Sequence, residues 1–203
     1  PYPYRLHAGT WRSAMSDSSD LQCLIPKGVR MSRFEHLDAV AHSRILAWRN
    51  DPLVSRWMIR QDEISADEHM AFVRSLANDT SKAYFEITLE NDPIGVVDYY
   101  SINPVHHSAY YGYYLKPNRI GSSLGILLEY LVLEYGFHHL NLQQIVAETN
   151  PSNKAALNLH RRFGASQMNI NPKGLLESLF HLNDWMDVRL SWSCLILRLI
   201  GRT

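Results

Sequence analysis

The chain predicts an α/β fold: a mixed, mostly antiparallel sheet of about seven strands flanked by helices. Three observations carry this. Residues 84–89 alternate Tyr84, Glu86 and Thr88 against Phe85, Ile87 and Leu89, Asn91-Asp92-Pro93 turns the chain, and 94–100 and 109–115 complete a three-stranded meander. From Tyr110 to Gly164 the order is strand, small-residue loop, helix, strand, helix. Ahead of the meander, two stretches carry helical spacing and helix-start residues.

Taken in order, residues 1–20 mix Pro, Gly, Ser, Tyr and Trp without a period, and the chain opens on Pro1 rather than Met. They read as a tail, or as sequence ahead of a start near Met15 or Met31. Residues 21–192 are expected to form one domain and 193–203 an extension; 203 residues suffice for one sizeable core and are short for two. Strand-like sequence at 21–34 precedes Asp38, which can cap a helix through Ile45, Leu46 and Trp48. Pro52 ends that helix and restarts a short one, leaving Trp57 and Met58 to reach one surface. Ser65 and Glu68 form a capping box for a helix with Met70, Phe72, Val73 and Leu76 inside and His69 in its first turn. After the meander, Leu124, Leu127, Leu128, Leu131 and Val132 recur at helical spacing. Past Gly164, residues 165–170 predict a strand and Asp187-Val188-Arg189-Leu190 the last one.

The balance of 20 basic and 20 acidic residues gives no field to draw the chain to nucleic acid or an anionic membrane, so a small partner is expected. Cys23 and Cys194 lack metal or redox spacing and read as idle thiols of a reducing compartment. His106-His107 and His138-His139 are adjacent pairs whose side chains point apart, a poor metal pattern. No apolar run reaches a membrane span and no basic-then-apolar leader opens the chain, so the expected location is cytoplasmic. The many tyrosines of the central strands serve the core first.

Gly121, Ser122, Ser123 and Gly125 place no bulky side chain over the first turn of the helix that follows, so its free N–H groups can close on a phosphate. The loop has neither the lysine of a P-loop nor the GxGxxG of a dinucleotide fold. It resembles the pyrophosphate loop, Q/R-x-x-G-x-G/A, of the GCN5-related N-acetyltransferases. With Gly125 as the last small residue, the family's first Gly falls on Ser123 and its Gln/Arg on Ile120, with Arg119 one place away. Ile145-Val146-Ala147-Glu148 followed by Asn153, Ala156, Leu159, His160 and Gly164 is similar to the family's strand and N-x-x-A-x-x-L-[YH]-x-x-x-G helix. The resemblance implies that family's fold, with the sheet splayed between strands 4 and 5, acetyl-coenzyme A (acetyl-CoA) as cosubstrate and no metal.

Within the family, Trp48-Arg49-Asn50, Trp57-Met58, Glu68-His69-x-x-Phe72, Ile94-Gly95-Val96 and Tyr111-Gly112-Tyr113-Tyr114-Leu115 resemble the N-acetyltransferases of pseudaminic acid biosynthesis. That resemblance implies acetylation of the 4-amino group of a UDP-4-amino-4,6-dideoxy sugar, on the way to flagellin glycosylation. It implies that Arg49 and His69 hold the nucleotide end, with Trp57 among the substrate-binding residues of that half, that Tyr114 borders the acceptor, and that Leu115 offers a backbone N–H to the thioester carbonyl. Glu148, ending the fifth strand beside the cofactor cleft, is the expected base, directly or through water. His160 stands where the family most often has a tyrosine general acid; an imidazolium can protonate a thiolate. Asn153 is expected to hold the pantetheine arm or the helix start. Two readings share the cofactor half: an acetyltransferase acting on a protein N-terminus or another amine, and a non-catalytic acyl-CoA-binding module. The oligomeric state is open, a homodimer included.

Overall fold

A computed structural model describes residues 24–201; the expected tail and Cys23 lie outside them. The strands are β1 (Val29–Arg33), β2 (Ala83–Leu89), β3 (Asp92–Asn103), β4 (Ser108–Leu115), β5 (Gln144–Thr149), β6 (Ser166–Ile170) and β7 (Leu176–His181). The helices are α1 (Ala39–Asn50), α2 (Pro52–Ser55), α3 (Ala66–Leu76), α4 (Leu124–His138), α5 (Lys154–Arg162) and α6 (Leu182–Ile200). The strands form one sheet in the order β1-β2-β3-β4-β5-β7-β6. The pairing is antiparallel except for β4 with β5, which is parallel.

Local chemistry sets the helix starts. The Asp38 side chain accepts from the Ala41 N–H at 2.8 Å, and Ser65 and Glu68 close both halves of their capping box. Asp51 caps the single turn that Pro52 opens. The β2–β3 turn is centred on Glu90 and Asn91, both left-handed, as a two-residue hairpin requires, so Asp92 and Pro93 already belong to β3. Pro93, which has no N–H, sits at the register shift opposite Ile87 and Thr88.

α4 and α6 cover one face of the sheet. Leu127, Leu128, Leu131, Val132 and Leu133 are fully buried, and the Tyr99 hydroxyl donates to the Val132 carbonyl at 2.6 Å. A Cβ at Gly136 would stand 2.6 Å from Ile145 Cδ1 and 3.0 Å from Tyr99 Cε1, so the helix meets the strands closely at a residue that has no side chain. On the other face, α1 and α3 close a smaller core of Phe34, Ile45, Val73, Leu76 and Val96. That layer covers the Tyr84-Glu86-Thr88 face of β2: Thr88 is buried, and Glu86 pairs with Arg44 of α1 at 2.6 Å.

The C-terminal third departs from expectation. The last strand is β7, and Asp187-Val188-Arg189-Leu190 lies inside α6, which runs on to Ile200 within the residues expected to be an extension. The buried stripe of α6 is Trp185, Arg189 and Ile196. A charged residue in that stripe hides the helical period, and it is tolerated because the Arg189 guanidinium meets the buried Glu134 carboxylate at 2.5 Å, with Trp185 Nε1 donating to the same group at 3.1 Å. Cys194 on this helix is a free, exposed thiol.

Candidate active site

The site is set by where β4 and β5 part. Their pairing runs from Ser108↔Gln144 to Tyr111↔Ala147 and stops. Beyond it β4 keeps to β3 as far as Leu115, and β5 keeps to β7 as far as Thr149. The Lys116 N–H donates to the Ile94 carbonyl on β3, and successive N–H groups alternate, so those of Leu115 and Tyr113 face the open fork. A cleft of about 1050 Å³ runs through the fork from the α4–α5 side to the α1–α3 side. It is lined by Arg49, Trp57, His69, Tyr114, Leu115, Gly121, Ser122, Gly125, Glu148, Asn153 and His160, all expected site residues; Ser123 does not line it.

On the cofactor side, Gly121 has φ +84°, a conformation that favours glycine, and a Cβ at Gly121 or Gly125 would meet nothing within 4 Å. Among the described residues, no protein acceptor takes the N–H of Gly121 or Ser123. These open amides at the start of a helix fit the diphosphate of a coenzyme A. Lys116 and Arg119 flank the loop and both reach Asp92, at 2.6 and 3.6 Å. Asn153 is the N-cap of α5, its side chain accepting from the Ala156 N–H at 3.2 Å.

His160 is 3% exposed and sits in a polar network that the sequence did not reveal. Its Nδ1 lies 2.9 Å from Oε1 of Glu129 on α4, to which the Tyr111 hydroxyl also donates at 2.7 Å. Its Nε2 lies 3.2 Å from Thr149 Oγ1 at the end of β5. A carboxylate on Nδ1 fixes the orientation of the ring. The signal in the sequence was an acid in the midst of an apolar helix.

Glu148 is held on every side. Oε1 accepts from Asn171 Nδ2 at 2.6 Å and Lys173 Nζ at 3.1 Å, and Oε2 from the Tyr100 hydroxyl at 3.0 Å and Lys173 Nζ at 3.2 Å. Three donors thus hold the carboxylate, with Lys173 bridging both oxygens.

On the acceptor side, Arg49 donates through Nη2 to the Arg60 carbonyl, while its buried Nη1 has no partner. His69 is buried beside His42, Nε2 to Nδ1 3.3 Å; burial first and His42 second hold its pKa below the ordinary histidine value. It is therefore a neutral hydrogen-bonding group at neutral pH rather than a cation. The Arg56 guanidinium lies 5.2 Å from the Trp57 ring centroid. Burial raises the Tyr114 phenol well above its usual value. Asp98 of β3, also on the lining, was not singled out from the sequence; a lone acid in a run of Val and Tyr was the available sign. Among the described residues no group of three His, Cys, Asp or Glu can hold a metal ion, and no helix is long and apolar enough to cross a membrane.

A family model described as an acetyltransferase (GNAT) domain matches residues 29–166. The acetyltransferase PseH of Campylobacter jejuni subsp. jejuni serotype O:23/36 (strain 81-176) is 30% identical over 134 residues, covering 66% of this chain and 82% of that protein. The crystal structure of Campylobacter jejuni N-acetyltransferase PseH in complex with acetyl coenzyme A superposes with a TM-score of 0.63 at 25% identity, covering 76% of this chain and 99% of the other. The spermidine N-acetyltransferase of Vibrio cholerae, in complex with CoA and spermine, reaches a TM-score of 0.69 at 19% identity, covering 79% and 99%, and shares the fold. With the matched span taking in the fork, the helix-start loop and α5, this chain belongs to the GNAT acetyltransferases and is an acetyl-CoA-dependent N-acetyltransferase.

Proposed function

We propose that the chain moves the acetyl group of acetyl-CoA to the 4-amino group of a UDP-4-amino-4,6-dideoxy sugar, the step that serves pseudaminic acid biosynthesis and flagellin glycosylation. The observation that carries this reading is the acceptor half of the cleft. There the unpaired Nη1 of Arg49, neutral His69 and the rings of Trp57, Tyr84 and Tyr114 stand together at the fork. A guanidinium with a free donor suits a diphosphate, and the rings suit a uracil and a deoxy sugar. The similarity to PseH supports the same substrate class.

Acetyl-CoA enters with its diphosphate at the open amides of Gly121 and Ser123 and its thioester at the fork. The Leu115 N–H faces the carbonyl oxygen and stabilises the charge that develops there. The amine attacks directly in a ternary complex. His160, oriented by Glu129, supplies the proton to the departing sulfur, by itself or through Thr149. Glu148, held by Asn171, Lys173 and Tyr100, lines the cleft beside the acceptor.

The test is coenzyme A thiol release with UDP-4-amino-4,6-dideoxy sugars, a peptide panel, polyamines and no acceptor. Release with the amino-sugar nucleotide alone is the expected result. Release with a peptide or polyamine instead would overturn the substrate, and acetyl-CoA binding without any release would favour a sensor.

A further inference from the structure

Two carboxylates stand at the fork, and only one of them is open. Asp98 pairs with Gly112, the first residue of β4 beyond the last β4–β5 pair. A Cβ on Gly112 would stand 3.1 Å from Asp98 Oδ1 and 3.4 Å from Oδ2. The carboxylate therefore lies across β4 at the point where the strand leaves β5, in the space that a glycine vacates. Among the described residues nothing donates a hydrogen bond to it, whereas Glu148 accepts from Tyr100, Asn171 and Lys173.

We propose that Asp98 is the catalytic base, its carboxylate receiving the acceptor's ammonium at the fork and taking one proton from it before the amine attacks the thioester. The proposal deepens the reading above and rests on it only in that the acceptor is an amine. One N–H bond of the ammonium breaks and its proton forms the neutral Asp98 carboxyl, later released to solvent. The nitrogen lone pair forms the N–C bond to the thioester carbonyl. The tetrahedral intermediate breaks its C–S bond, and the second nitrogen proton is balanced by the proton that the thiolate acquires, giving amide and free coenzyme A. The charged and titratable groups around Asp98 are Arg49 from α1, Tyr84 from β2, Tyr100 on its own strand with Glu148 behind it, and Tyr114 from β4. Burial pushes the Asp98 carboxyl up to about 7 and the Arg49 guanidinium draws it partly back. A base in that range both accepts and releases a proton near neutral pH.

The experiment compares wild type, Asp98→Asn and Gly112→Ala, using the amine that wild type turns over fastest. Wild-type kcat/KM should rise with pH through about 7. Asp98→Asn should lose about 10²-fold or more in kcat and lose that inflection, with acetyl-CoA affinity unchanged. Gly112→Ala, whose methyl displaces the carboxylate, should lose less. A wild-type rate and a retained inflection in Asp98→Asn would overturn the proposal. If wild type uses another amine but no amino-sugar nucleotide, the substrate reading fails and Asp98 is tested with that amine. If it uses none, the Tm difference between Asp98→Asn and wild type decides. A carboxyl with a raised folded value destabilises the folded state as pH climbs from the ordinary carboxylate range to about 7, so the asparagine variant should gain on wild type at about pH 8 relative to about pH 5. No change in that difference would also overturn it.

Discussion

On the β5 side of the fork Glu148 carries four hydrogen-bond contacts, and His160 is tied to Glu129 and Thr149. On the β3 side Asp98 accepts none among the described residues, and Arg49 leaves Nη1 unpaired. A buried polar atom without a partner costs roughly 1–3 kcal/mol, and Nη1 of Arg49 belongs to a residue that lines the cleft, where a ligand can supply one. The difference teaches where this protein meets its variable substrate. Glu148 and the His160 ring are tied to protein groups, while Asp98 and Nη1 of Arg49 keep open valences among the described residues.

The largest effect that would sharpen this contrast lies on the closed side. His160→Phe removes both ring nitrogens from the network while keeping an aromatic body, and kcat should fall about 10²-fold with KM for acetyl-CoA nearly unchanged. Steady-state kinetics with acetyl-CoA varied checks it; a kcat within twofold of wild type would make the network a packing device. On the open side, Arg49→Ala should lower kcat/KM for the nucleotide sugar by tens of fold, roughly 1.5–3 kcal/mol for a charged hydrogen bond, through KM. Acetyl-CoA affinity should not move. An unchanged KM for the sugar would place the nucleotide elsewhere and break the contrast. Glu148→Gln is smaller: it keeps the shape and weakens the tie to Lys173, and turnover should drop about tenfold with acetyl-CoA affinity intact.

How legible these two sides were follows from their physics. The cofactor side depends on residues whose backbone behaviour shows in their type. Gly121 at a left-handed φ, Asn153 as a cap and the Ser65–Glu68 capping box could be placed from local pattern. The order of strands and helices was legible for the same reason, since period and caps are local. Asp98 and Glu129 were missed because their meaning is not local: each is an acid in an apolar run, and it takes the β3–β4 register to bring Gly112 under one and the approach of α5 to α4 to bring His160 against the other. The last strand was misplaced because Arg189 interrupts the apolar stripe of α6, and its partner Glu134 lies 55 residues away.

The smallest effect separates the two tasks assigned to Asn153. Its side chain caps α5 through the Ala156 N–H and lines the cleft as well. If capping is its work, Asn153→Ala costs about 1 kcal/mol, lowering Tm by roughly 2–4 °C for a chain of this size, while KM for acetyl-CoA shifts less than about twofold. Asn153→Asp, which retains an accepting oxygen, should then recover most of the lost Tm. A rise in KM with Tm unchanged would instead mean that the amide reaches the cosubstrate. The closed side would then contain a polar group held ready for a ligand, and the contrast across the fork would no longer hold at α5.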